Sequence, residues 1–144
     1  KTMNVKQALK VKNKLVTELK AQYQILQKYN SIEEGNPRRY SMVDSFAKIQ
    51  SLSSELVELK ARIHTANQPV YQQIFELAEL KGFVKELKKV PTDEGKQTER
   101  YGSVQSIKVV EFNIVDIENR VGELQDRIEA LQNELDIHNA NTQI

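Results

Sequence analysis

Residues 42–66 read MVDSFAKIQSLSSELVELKARIHTA, and this stretch decides the fold class. Met42, Ile49, Leu56 and Ile63 recur every seven residues, and Leu52, Leu59 and Ala66 stand three places after the last three of them. Two apolar rows with that offset lie along one side of a helix, whereas a strand would scatter them over both faces. Phe46 widens the stripe towards a globular core. Ser41 is a good N-cap, and Asp44 three residues on gives a short capping box, so a helix is expected over 41–67.

The last quarter repeats the pattern. Ile114, Val121, Ile128 and Leu135 form one row, and Ile117, Leu124 and Leu131 form the other, which ends at His138. Asn113 and Asp116 supply the start signal. The first quarter is looser: Leu9, Val16 and Tyr23 alternate with Val5, Leu19 and Leu26, Lys12 interrupts the second row, and Ala8 and Leu15 flank it. Between these regions Val70, Ile74, Leu77, Val84 and Leu87 give a shorter helical face, opened by Pro69 and closed at Val90-Pro91. At Asn67-Gln68-Pro69 a tight turn is expected rather than a kink, because residues before proline avoid the helical region. Asn30 to Tyr40, with Gly35, Asn36 and Pro37, reads as a loop. Thr92 to Phe112 is long for an unstructured connection, and its end, near 107–112, reads as one short strand or the first turns of the last helix.

These 144 residues suit a single domain, and 39% hydrophobic content with five Gly and three Pro leaves little room for a β-rich fold. Lys plus Arg number 21 and Asp plus Glu 20, so the net charge gives no general argument for a polyanion partner. Its distribution is more telling. Residues 1–28 hold seven lysines against Glu18, and residues 113–144 hold seven carboxylates against Arg120 and Arg127. A basic first helix and an acidic last one are expected to lie side by side, in one copy or between two. With no Cys there is no disulfide frame and no thiolate chemistry. The longest stretch without Asp, Glu, Lys or Arg, Ile63 to Phe75, is too short and polar for a membrane span. No signal peptide is visible either, and a cytoplasmic location is expected, although Lys1 and Thr2 precede Met3.

Several short motifs then align with one family. Asn30, Ile32, Glu33, Glu34, Gly35 and Pro37 resemble an Asn-x-x-x-Glu-Gly-x-x-Pro loop; Arg62-Ile63-His64 through Asn67 resembles an Arg-Ile-Asn-x-Thr-Asn helix end; Arg100-Tyr101 with Ile107-Lys108 resembles an Arg-Tyr…Ile-Lys segment. Asn139 with Thr142 is similar to a C-terminal Asn-Trp-x-Thr. Together these resemble the septicolysin-like family, small bacterial helical proteins of undetermined activity. The chain departs from that pattern at Ala140, where Trp is usual, and at His64, where Asn is. The resemblance implies a helical architecture, and the family's name hints at a cytolysin; it carries no catalytic residue over.

No metal, cofactor or catalytic set can be assembled. His64 and His138 each lack a second ligand at zinc spacing, and both fall near helix C-termini, where a cation is favoured by the dipole. Glu134 precedes His138 by four residues rather than the three of a di-iron motif. There is no phosphate-binding glycine loop, nucleophile elbow or HExxH motif. Arg39, Tyr40, Arg100, Tyr101 and Lys108 lie in or near loops and are the candidate interaction residues. The expectation is therefore an all-α antiparallel bundle of three or four long helices with coiled-coil-like heptad packing. Its expected function is non-enzymatic: a structural or protein-interaction module, partnered by its own copies or by another helical protein, with no small-molecule substrate evident. Membrane activity of a cytolysin kind, or nucleic-acid binding through the basic first helix, are alternatives that the sequence disfavours.

Overall fold

The computed structural model describes residues 2–98 and 105–144. These form four α-helices, α1 (Val5–Tyr29), α2 (Met42–Asn67), α3 (Tyr71–Leu87) and α4 (Ile114–Asn141), with a 3-10 turn at Gln68–Val70. Strands β1 (Gly95–Thr98) and β2 (Gln105–Lys108) pair antiparallel between α3 and α4. The protein is thus mostly helical with one small two-stranded sheet. It divides into two compact units: residues up to Val70 together with Asp136–Ile144, and Tyr71–Leu135.

Local chemistry sets the helix ends. At α1, the Asn4 side chain accepts from the Gln7 amide (2.8 Å) and the Gln7 side chain accepts from the Asn4 amide (2.9 Å), a reciprocal capping box. Ser41 Oγ accepts from the Asp44 amide (3.1 Å) at α2, as expected. Asn113 and Asp116 also cap reciprocally, with Asn113 Oδ1 accepting at 2.9 Å and Asp116 Oδ2 at 3.1 Å. The α-helix ends at Asn67, just before the Gln68-Pro69 pair, but the residue before proline does not leave the helical region. Gln68 keeps helical angles (φ −50°, ψ −43°), and the tighter 3-10 turn carries the chain into α3, where the missing proline N–H costs no helical bond.

In the first unit, α1 and α2 form an antiparallel hairpin. Ala8 and Leu15 are buried against Leu56, Leu59 and Ile63, with Leu9, Leu19 and Leu52 half-buried around them. Ser45, also buried, donates its hydroxyl to Gln22 Oε1 (2.8 Å) and so marks the helix register. Val5 is buried as its row placed it, and Ala8 and Leu15, placed as flanks, are buried too, while Val16 and Tyr23 are exposed. Phe46, expected to widen the buried stripe, is 56% exposed. The companion of basic α1 along this unit's hairpin is α2, whose three acidic and three basic residues balance, and α4 contributes to the unit only from Asp136 onwards. Burial is enough to select this α1–α2 pairing, because an exposed ion pair is worth only about 0–1 kcal/mol.

The same unit ties its first and last residues together. Asn4 and Gln143 form an antiparallel bridge, the Val5 amide donates to Thr142 O (2.9 Å), and the Ile144 amide donates to Met3 O (3.0 Å). Asn4 Nδ2 donates to Ala140 O (3.1 Å), so one asparagine caps α1 and holds the end of α4.

In the second unit Val84, Ile117 and Val121 are buried together, with Leu87, Leu124 and Ile128 packed on them. The strand foreseen near 107–112 lies slightly earlier, and it has a partner: Gly95 pairs with Lys108, Lys96 with Ile107, Gln97 with Ser106 and Thr98 with Gln105. Gly95 has φ +90°, a backbone region that penalises any side chain with a Cβ. Arg127 forks onto Glu76, Nε to Oε2 at 2.9 Å and Nη2 to Oε1 at 3.0 Å. The hydrogen bond from Arg127 holds the Glu76 carboxyl below the usual range; desolvation opposes it, and the arginine's charge adds a lesser pull downwards. A depressed acid stabilises the fold above its unfolded pKa and loses that contribution as pH falls through the folded one. Glu76→Gln is therefore expected to flatten slightly the fall in melting temperature between about pH 5 and pH 3. Parallel melts of the two proteins across that range check it.

Candidate functional site

The loop between α1 and α2 is built around a helix end. The last carbonyls of α1 lack intrahelical donors, and the Arg38 guanidinium supplies them, Nη1 to Tyr29 O and Nη2 to Asn30 O, both at 2.9 Å. The Tyr29 and Tyr40 rings meet at 4.9 Å and 48°, and Lys28 Nζ lies 5.4 Å from the Tyr29 ring centre. Arg38 thus serves the fold. Arg39 next to it is exposed and lines two shallow depressions, one of about 300 Å³ with Ile32 and Pro37, the other of about 510 Å³ with Tyr40 and Met42.

Of the other sequence candidates, Lys108 is exposed at the end of β2 opposite Gly95, in the second unit, while Arg39 and Tyr40 belong to the first. Arg100 and Tyr101 lie outside the described residues.

The two histidines differ. His64 is exposed near the end of α2. His138 is half-buried and joins two segments: Nε2 lies 3.1 Å from Asn67 Oδ1, and Nδ1 3.1 Å from Thr142 Oγ1. A neutral ring protonated on Nε2 satisfies both contacts, donating to the asparagine carbonyl and accepting from the threonine hydroxyl. Sequence spacing alone did not reveal this node, because Asn67 is 71 residues from His138. Among the described residues no group of three or more His, Cys, Asp or Glu could hold a metal ion. Likewise, none of the described helices is long and apolar enough to cross a membrane.

Two grooves mark the first unit. One, of about 430 Å³, runs along α2 past Glu58, Arg62 and Thr65 and is closed by Gln143 and Ile144. The other, of about 410 Å³, lies between the helices and is lined by Glu18, Ala21, Gln22, Lys48, Ser51 and Leu52. Charged and uncharged polar side chains share both. Ala61, Ala66 and Ile144 add apolar lining to the first and Ala21 and Leu52 to the second. Larger apolar side chains are also open to solvent: Val43 (80% exposed), Phe46 and Val57 (69%) on α2, and Phe75 and Phe83 on α3.

Compared with protein-family models, curated proteins and solved structures, the chain matches none.

Proposed function

We propose that the protein is a non-enzymatic structural or interaction module whose helices pack with heptad spacing and complete a bundle by association with other helices, its own copies first. The observation that carries this reading is the exposed apolar side chains Val43, Phe46 and Val57 on α2 in the first unit, which a further helix packed there would bury. Arg39, Tyr40 and Lys108, all exposed, are proposed to contribute polar contacts at its margins, and a cytoplasmic setting and membership of the septicolysin-like family belong to the same proposal. Sedimentation equilibrium of the intact chain tests it. The mass is expected to rise with concentration to a defined small oligomer; a monomer at every concentration would count against self-association.

A further inference from the structure

The α1–α2 hairpin has two unlike sides, and their difference follows from its register. Gln22 and Ser45 face each other through their hydrogen bond. One residue further along each helix is a rotation of about 100°, which in an antiparallel pair brings both new residues to the same side of the hairpin. That side therefore carries Tyr23 and Phe46. The same step from the core residues Ala8, Leu15 and Leu56 adds Leu9, Val16 and Val57. One residue back leads to the opposite side, and Ala21 does line the groove there together with Glu18 and Lys48. Every carboxylate of the two helices takes that backward step: Glu18, Asp44, Glu55 and Glu58 immediately precede Leu19, Ser45, Leu56 and Leu59. The forward side has no acid, and its charges are Lys6, Lys20 and Lys60, which directly follow Val5, Leu19 and Leu59.

We infer that this forward side of the hairpin is the surface on which a second copy of the chain docks, the two hairpins together making a four-helix bundle. The inference rests on the proposed self-association and names the surface that performs it. Size favours a second copy. Each helix is about 38 Å long and neighbouring axes lie about 9 Å apart, so the flat face covers about 700 Å². A stable interface needs about 800 Å² of accessible surface per partner, and the corrugated accessible area of such a face exceeds its flat footprint. A lone helix laid across it would cover about half. Composition agrees, since Tyr23 and Phe46 are adjacent aromatic anchors and the three lysines have long stems that can lie along apolar surface while their charges reach water.

The test compares the wild-type chain with Phe46→Glu, Val57→Glu and, on the opposite side, Glu55→Lys, by sedimentation with helicity followed by circular dichroism. All three positions are exposed, so helicity should be unchanged. The inference expects a wild-type dimer, weakening by about tenfold or more for each Glu variant, and no change for Glu55→Lys. A wild-type oligomer unaffected by both Glu variants overturns this surface and leaves self-association standing. A monomeric wild type overturns both. Should that monomer bind anionic phospholipid vesicles and lose binding on Val57→Glu, the face has a lipid occupant and the second copy is excluded.

Discussion

Leu56→Ala is expected to lower the stability of the folded chain by about 2–5 kcal/mol, the range for emptying a well-packed leucine site. Leu56 is buried among Ala8, Leu15, Leu59 and Ile63, where two long helices meet and little slack exists to fill the hole. Its neighbour Val57 points the other way. Measured at concentrations where copies dissociate, Val57→Ala should stay within about 0.5 kcal/mol of wild type. Urea unfolding of the two variants separates these outcomes, because the midpoint should shift for the first with little change in slope. Equal effects at both positions would mean that the hairpin's inner and outer sides are wrongly assigned.

A matching contrast is expected in α4. Leu131 is fully buried, whereas Leu124, at the centre of the pattern read from sequence, is only half-buried on the Val84, Ile117 and Val121 cluster. Leu131→Ala should therefore cost about 2–5 kcal/mol and Leu124→Ala distinctly less, since the penalty follows the volume and contacts actually lost. The same urea experiment reads both, and a reversed order would contradict this assignment of α4's inward side.

What could be read from residue spacing was the helices and several of their starts. Ile49, Leu56 and Ile63 of the α2 row are buried, as are Val121 and Leu135 of one α4 row and Ile117 and Leu131 of the other, although Ile114 at the head of the first is 51% exposed. Ser41 and Asn113 cap the helices they were expected to cap. A seven-residue row, however, reports only that a helix has a preferred side, and α1 offers two. Leu9, Val16 and Tyr23 form as regular a row as Ala8 and Leu15 suggest, and which one turns inward depends on the contour of α2, which periodicity does not contain. Strand β1 was illegible for another reason: Gly95-Lys96-Gln97-Thr98 has no apolar alternation, and it is extended through its pairing with β2. The candidate site fared less well. Arginine and tyrosine in a loop signal binding, but Arg38 beside them serves a helix end, and the side of the hairpin that carries Tyr23, Phe46 and Val57 could be drawn only once Gln22 and Ser45 fixed the register.

The bridge between Asn4 and Gln143 also bears on the order in which the chain acquires its structure. The α1–α2 hairpin joins segments separated by one short loop, so its closure costs little chain entropy and can happen early. The contact from Val5 to Thr142 spans almost the whole sequence and must wait until nearly everything between has been arranged. Contacts made that late are absent from the folding barrier and act on the way out instead. The short bridge is therefore expected to act as a latch: breaking it should change the folding rate little and speed the opening of the first unit.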